Sequence, residues 1–358
     1  MTLRRFALVV MALSTLVFPR MALAPRRAMA ASGGVQRDVP YGTAGGQSLL
    51  MDVYTQPGNG QRPAIVLIHP GGFVGGDKSD ADISKVASFY AQHGYVVFNI
   101  NYRSARDGFP YPAQVQDVMQ AVRFVRTNAS QYGIDPSRIA TFGASAGATL
   151  AVSVGLEGTG GWNEGSRVAA VVSWSGALDL VSVATQNLNA LEGLYTYVTG
   201  KPGKKTNRQG AIDVKTIEPL LQKASPINYV DHTDPPMFIA NSVQEFMPLN
   251  QAQAMASKLK AAGVANQLFS PAKGHALAYT EQALQPTLVF LDKYLAKSIP
   301  LPSPLVTASP SHSPGGTHSS GDKSSTSAPL LIGAGAGILA LFALVGLFVW
   351  WRRRARNG

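Results

Sequence analysis

The 358-residue sequence contains no cysteine. Its absence excludes disulfides, thiolate metal sites, a cysteine nucleophile and a lipid-modified cysteine. Charge is also scarce: 14% of residues are charged against 46% hydrophobic. Such a chain is too apolar to be mostly disordered and can fill a sizeable core. The net charge is +11, but its placement matters more than its size. Arg4, Arg5, Arg20, Arg26 and Arg27 lie in residues 1–34, which carry no acid, and Arg352, Arg353, Arg354 and Arg356 lie in the last seven residues. Without these nine arginines the net charge falls to +2. A nearly neutral body has no electrostatic reason to bind nucleic acid.

The two basic ends read as address labels. Arg4 and Arg5 precede an apolar run from Phe6 to Phe18, and Ala28-Met29-Ala30 offers a small-x-small cleavage pattern. Residues 1–30 are therefore expected to be a signal peptide, its apolar run being too short to span a bilayer. Residues 330–351 are without charge and would measure about 33 Å as a helix. Trp350 and Trp351 close this run and the basic residues of 352–358 follow at once. This pattern predicts a single transmembrane helix with a cytoplasmic basic tail and the preceding domain outside the cell. Gly333 and Gly337 give it one G-x-x-x-G step. Between body and span, residues 299–329 are dominated by Pro, Ser, Thr and Gly, a composition that stays extended as a stalk. The number of copies in the assembled protein is not encoded in any of these segments.

Within residues 38–298 apolar runs alternate with helical patterns. Residues 64–69, 95–101, 139–142, 168–174, 236–241 and 266–269 read as strands, most of them apolar enough to be buried on both faces. Helices are predicted over 83–93, 117–132, 250–262 and 286–295. This alternation predicts an α/β fold with a mostly parallel sheet and helices on both faces. Residues 49–54 alternate in polarity and read as an antiparallel edge strand with one wet face. Residues 180–230 break the alternation and read as a cap-like insertion above the sheet edge where ligands bind in such folds.

Three segments carry chemistry. Gly143-Ala144-Ser145-Ala146-Gly147 follows a strand and opens a helical run, the context in which G-x-S-x-G presents a serine nucleophile at a helix N-terminus. His69-Pro70-Gly71-Gly72-Phe73 ends the first buried strand. Gly71 and Gly72 allow close backbone approach, and with Ala146 they would supply N–H donors to an oxyanion; Pro70 has none to give. Phe73 is expected to touch the substrate, and His69, inside this motif, is assigned a structural role. The base is expected at His275, in the polar loop after the last strand, because the chain order in such folds is serine, acid, histidine. The acid belongs after strand 236–241, where Glu245 is the only carboxylate between Asp234 and Glu281. Asp179, after Trp174-Ser175-Gly176, is the alternative. Gly71–Gly76 with Lys78-Ser79 is a near-miss of a phosphate loop, spoiled by Asp77.

These motifs, with Asn101-Tyr102-Arg103, Phe109-Pro110, Asp117, Tyr132-Gly133-Ile134-Asp135-Pro136, Ser225-Pro226 and Gly274-His275, resemble those of the α/β-hydrolase esterases of the hormone-sensitive-lipase and feruloyl-esterase-like (BD-FAE-like) group. The resemblance covers about residues 38–297. It implies the α/β-hydrolase fold, an ester hydrolase with a Ser-His-acid triad, no metal or cofactor, and structural roles for Asp117 and Asp135. Two positions depart from it. The usual acid lies four residues before the Pro of the acid loop, where this chain has Gln244, and Ala148 stands where glycine is common.

The expected function is a membrane-anchored, extracellular serine carboxylesterase acting on a small-molecule or polysaccharide-linked ester. Two alternatives stay open: a serine peptidase on the same fold, which usually carries a further substrate-selecting domain, and a non-catalytic surface binding protein on a hydrolase scaffold.

Overall fold

The structure is a computed structural model that describes residues 33–58, 61–161, 164–203 and 212–296. The chain divides into two units, Met1–Ser303 and Pro304–Gly358, and the described residues belong to the first. The signal-peptide, stalk, membrane-span and basic-tail expectations lie outside the described residues. Among the described residues no helix is long and apolar enough to cross a membrane.

Eight strands form one sheet: β1 (Gly34–Ala44), β2 (Gln47–Thr55), β3 (Arg62–Ile68), β4 (Val96–Ile100), β5 (Ile134–Ala144), β6 (Ala170–Trp174), β7 (Met237–Ala240) and β8 (Asn266–Phe269). Their spatial order is β1-β2-β4-β3-β5-β6-β7-β8. From β4 to β8 all pairings are parallel, while β2 is antiparallel to both β1 and β4. This is an α/β-hydrolase-type sheet.

The period of two in the strands sorts side chains into two cores. Ala64, Val66 and Ile68 of β3 face one core, with α2 (Ala113–Thr127) and α4 (Ala146–Glu157) packed over it. Ile65 and Leu67 face the other, covered by α1 (Ala81–Gln92) and α9 (Thr280–Leu295). Continuous apolar runs in β3, β4, β6 and β7 are therefore buried on both sides, as a helix-covered parallel sheet requires. The short α3 (Ala129–Tyr132) leads into β5, and α8 (Asn250–Ala261) joins β7 to β8. Between β6 and β7 the insertion folds as α5 (Leu180–Gln186), α6 (Leu188–Thr199) and α7 (Val214–Ala224).

Three expectations need correction. The strand over 49–54 is not an edge and has no wet face along Met51–Thr55, because β1 lies outside it. The edge strand β1 was hidden by its Pro40, glycines and charged residues, and its ladder has two register irregularities. Asp52, which looked solvent-facing, is fully buried and paired with Lys78 (2.7 Å) and Arg37 (2.8 Å). The helix expected over 117–132 starts at Ala113 and breaks at Asn128 into α2 and α3. The last helix begins six residues before Pro286, which sits inside it.

Interior polar pairs explain several of the recurring motifs. Arg103 binds Asp117 through its guanidinium at 2.7 Å, and the Arg103 N–H donates to the same carboxylate at 2.9 Å, fixing the chain after β4 to α2. Asp135 accepts from Ser137 N–H at 2.9 Å and turns the chain within β5, where the pairing with β3 shifts register. Ser225 Oγ accepts from Leu180 N–H at 2.9 Å, tying the far end of the insertion to its start.

Candidate active site

Ser145 sits in the turn between β5 and α4 with φ +53° and ψ −119°. A left-handed φ on a non-glycine residue is strained and persists only where its surroundings enforce it. Here Ser145 N–H donates to Trp174 O at 2.8 Å, while Ser145 O accepts from Ala148 and Thr149 N–H. The flanking glycines are needed for space. A Cβ on Gly143 would lie 2.0 Å from Gly147 O, and one on Gly147 would lie 2.2 Å from Ile68 O. Any larger residue would push strand and helix apart and lose the turn.

His275 and Glu245 come from loops after β8 and β7. The two loops run side by side: Val243 N–H donates to Pro271 O (2.9 Å), Gln244 N–H to Ala272 O (3.1 Å) and Gly274 N–H to Gln244 O (3.2 Å). This extension of the parallel ladder delivers acid and histidine to one place. His275 Nε2 lies 2.9 Å from Ser145 Oγ, and His275 Nδ1 lies 2.6 Å from Glu245 Oε2. The Glu245 side chain is fully buried and the His275 side chain is 29% exposed. The buried carboxylate favours Nδ1–H on His275, which leaves Nε2 free to accept from the serine hydroxyl. The other oxygen, Oε1, accepts from Ser242 N–H (2.6 Å) and Ser175 Oγ–H (2.9 Å). Glutamate's extra methylene lets it act from one position beyond Gln244. The alternative acid, Asp179, is engaged elsewhere: it caps α5 by accepting from Ser182 N–H at 3.0 Å.

The loop after β3 closes the opposite wall. Gly71 and Gly72 have φ +144° and +60°, and Phe73 follows at +66°. A Cβ on Gly71 would lie 1.9 Å from Gly75 O, so this glycine lets the loop fold on itself. Gly71 O also accepts from Val74 N–H at 3.1 Å. Gly72, Phe73, Ser145 and Ala146 line one cavity of about 120 Å³, completed by the insertion through Val183, Asn189, Gly193 and Leu194 and by Phe246 and Met247 of the acid loop. Gly71 is not among its lining residues. Ala146 begins α4, where backbone N–H groups carry partial positive charge. Phe73 is buried and stacks on Tyr197 of α6 with ring centroids 3.8 Å apart.

Among the described residues the other three histidines have structural partners. His69 is buried, stacks on Tyr102 at 4.4 Å, and its Nδ1 lies 2.7 Å from Pro70 O. Burial pushes its pKa below the usual range, so the ring is neutral and Nδ1–H donates. His93 Nδ1 contacts Phe89 O at the end of α1 (2.7 Å), and exposed His232 lies 4.0 Å from Asp231. A larger cavity, about 180 Å³, lies near the start of β6 and β7, away from Ser145, and is lined by Arg167, Asp234 and Pro236 among others. Its lining holds no serine, lysine or histidine, whereas Ser145 with its His275 contact borders the smaller cavity, which is therefore the candidate site.

Sequence reasoning missed Ser175 and Tyr279. Ser175 is fully buried with φ +56°. Its Oγ donates to Glu245, accepts from Ala276 N–H (2.9 Å) and lies 2.8 Å from Tyr279 OH. It therefore ties the acid to the residue following the histidine. The only signal was a Ser-Gly pair at the C-terminal end of a buried strand. Phe246 was also missed; its ring meets His275 edge-on at 5.5 Å.

The chain is similar to proteins named as esterases. The chain is 30% identical over 239 residues to Esterase LipQ of Mycobacterium tuberculosis, covering 64% of this chain and 53% of that protein. It is 26% identical over 233 residues to the probable carboxylic ester hydrolase LipM of the same organism, covering 62% and 51%. The chain thus spans about half the length of the curated relatives it matches. Among solved structures, a truncated carbohydrate esterase from gut microbiota shares the fold with TM-score 0.63 at 23% identity, over 75% of this chain and 99% of that one. The BD-FAE family model matches residues 51–259, more than half of the sequence, and includes Ser145 and Glu245. The chain belongs to the BD-FAE family.

Proposed function

We propose that this protein is a serine carboxylesterase working through an acyl-enzyme, with Ser145 as nucleophile, His275 as base and Glu245 as the acid. The observation that carries the reading is the unbroken contact chain from Ser145 Oγ to His275 (2.9 Å) to Glu245 (2.6 Å). Ser145 Oγ attacks the ester carbonyl while its proton passes to His275 Nε2. Glu245 stabilises the imidazolium from the Nδ1 side. The oxyanion forms beside the Gly72 and Ala146 N–H groups, with Gly71 shaping the loop that presents Gly72. His275 then returns the proton to the departing alcohol. A water, deprotonated by His275, attacks the acyl carbonyl; the bond to Ser145 Oγ breaks, His275 returns the proton to that oxygen, and the carboxylic acid leaves. The cavity of about 120 Å³ beside Ser145, walled by Ala177, Leu194 and Met247, favours a short acyl group. Small-molecule esters and acyl groups on polysaccharides are both within this reading.

The same proposal places the domain outside the cell. The expected signal peptide (1–30), stalk (299–329), membrane span (330–351) and basic tail (352–358) support a single-pass anchor with its C-terminus in the cytoplasm. Protease treatment of intact cells should remove the esterase domain and leave a membrane-embedded fragment; full protection of the domain would reject this topology.

The activity is tested by hydrolysis of p-nitrophenyl acetate. The wild type should turn over and Ser145→Ala should not, and equal rates for the two would remove the proposal.

A further inference from the structure

A second cavity adjoins the one at Ser145. It has a volume of about 280 Å³ and is lined by Val74, Arg106, Glu192, Thr196 and Gly203, together with Asn189 and Gly193. Asn189 and Gly193 line both cavities. They lie one turn apart on α6, so one face of that helix forms the partition. The two compartments differ in chemistry. Around Ser145 the walls are mainly apolar, with Phe73, Ala177, Val183, Leu194 and Met247, whereas the second compartment mixes donors and acceptors.

Gly193 has no backbone reason to be glycine. It sits inside the helix Leu188–Thr199, and it is not among the positive-φ residues; Gly200, at the end of α6, has φ +68° and fills the left-handed C-terminal position. Glycine inside a helix is otherwise the least favoured residue after proline. What distinguishes position 193 is its neighbour: a Cβ there would lie 3.4 Å from Gly72 O, over the loop that faces Ser145. A Cβ would therefore stand in van der Waals contact with the Gly72 carbonyl, at the point where the linings of the two cavities overlap.

The polar compartment is also held firmly against the site. Arg106 belongs to the one-turn 3₁₀ segment Ala105–Asp107, whose first N–H donates to Phe73 O at 2.9 Å. Arg106 N–H is capped by Ser104 Oγ at 3.1 Å. Among the described residues the Arg106 guanidinium has no hydrogen-bond or ion-pair partner. A donor is thus presented to the second compartment from a segment pinned to the oxyanion loop.

We infer that Gly193 is a specificity-determining residue: its bare backbone joins the two cavities into one cleft, which selects esters with a small acyl group and a bulky hydroxyl-rich alcohol. The acyl group occupies the apolar cavity at Ser145, and the alcohol passes over Gly193 to meet Arg106, Asn189 and Glu192. This rests on the esterase reading. A side chain at 193 narrows the passage between the cavities, so an ester with a bulky alcohol loses more than one small enough to stay within the Ser145 cavity.

The test measures kcat/KM for three acetate esters by acetate release: ethyl acetate, 6-O-acetylglucose and cyclohexylmethyl acetate. The last two have alcohols of similar bulk but opposite polarity. The wild type should favour 6-O-acetylglucose over cyclohexylmethyl acetate by about tenfold or more, since polar groups aimed at hydroxyls reject an apolar substitute. Gly193→Ala should lower the ratio of 6-O-acetylglucose to ethyl acetate by about threefold, and Gly193→Leu by about thirtyfold. Ala should also leave the thermal midpoint equal or higher, because it favours the helix. An unchanged ratio in the folded variants overturns the inference. So does a parallel loss on both esters, or no wild-type preference for the sugar ester. No wild-type activity on any ester would instead defeat the esterase reading itself.

Discussion

The two ends of the parallel sheet are built by opposite rules. At the C-terminal end the backbone is strained. Among the described residues five non-glycine residues have positive φ, and four of them (Phe73, Ser145, Ser175 and Ala276) follow β3, β5, β6 and β8 around the site. Each such conformation costs about 1–3 kcal/mol and persists because its surroundings fix it. At the N-terminal end arginines satisfy backbone carbonyls instead. Arg62 donates to Gln56 O (2.7 Å) and Tyr132 O (3.1 Å), Arg126 to Pro136 O (3.0 Å) and Arg167 O (2.6 Å), and Arg138 to Leu295 O (3.1 Å). Burial lowers the Arg126 pKa to about 10, which still leaves it charged near neutrality. One end stores strain to aim side chains, and the other is satisfied and holds the layers together.

Substitutions at the two ends should therefore separate activity from stability. The largest effect belongs to the strained end: Ser145→Ala should lower kcat by about 10⁴-fold or more, with the unfolding midpoint unchanged or higher. Urea titration beside the kinetics checks both halves. At the opposite end, Arg126→Met would leave buried carbonyls without donors and should remove about 3 kcal/mol of stability. Its kcat, measured below the unfolding transition, should stay within about twofold of wild type; a tenfold fall would blur the division. Ser175→Ala is smaller: loss of one donor to Glu245 should lower kcat about tenfold and leave KM unchanged. A rise in KM alone would show that Ser175 does not act through the acid.

The smallest effect concerns Glu157, at the end of α4. Burial raises its pKa to about 7 from an ordinary value of 4.5. The folded state thus holds its proton more tightly than the unfolded state. Stability from this group is complete below about pH 4.5 and is lost as pH rises through about 7. Glu157→Gln should stabilise the protein by about 1 kcal/mol at pH 8 after allowance for its partial exposure, and by nothing at pH 4. Equal gains at both pH values would place the effect in packing rather than charge.

Much of this molecule was legible in its sequence because local rules and tertiary packing agree. The buried apolar runs of β3, β4 and β6 admit one reading, and Gly143–Gly147 admits one turn. The regions that resisted are those where tertiary partners override local pattern. β1 carries Arg37, Asp38 and Pro40, a glycine towards each end, and irregular pairing, yet it forms the edge because β2 offers it a ladder. Asp52 reads as solvent-facing until Lys78, from a loop 26 residues on, buries against it. Ser175 had no periodic or spacing signal; only the convergence of β6, the acid loop and the segment after His275 gives it a role. Gly193 lies within the 180–230 insertion, which carried no motif, and only the cavities on either side of it give it a role.

The central claim is that the acid of this site is Glu245, one residue beyond Gln244, the position at which the family resemblance would put it. The direct measurement is kcat on p-nitrophenyl acetate for Glu245→Gln beside Gln244→Ala. The account predicts a loss of about 10³–10⁴-fold for the first and less than about threefold for the second. A Glu245→Gln enzyme within tenfold of wild type, or a Gln244→Ala enzyme as damaged as Glu245→Gln, would contradict it.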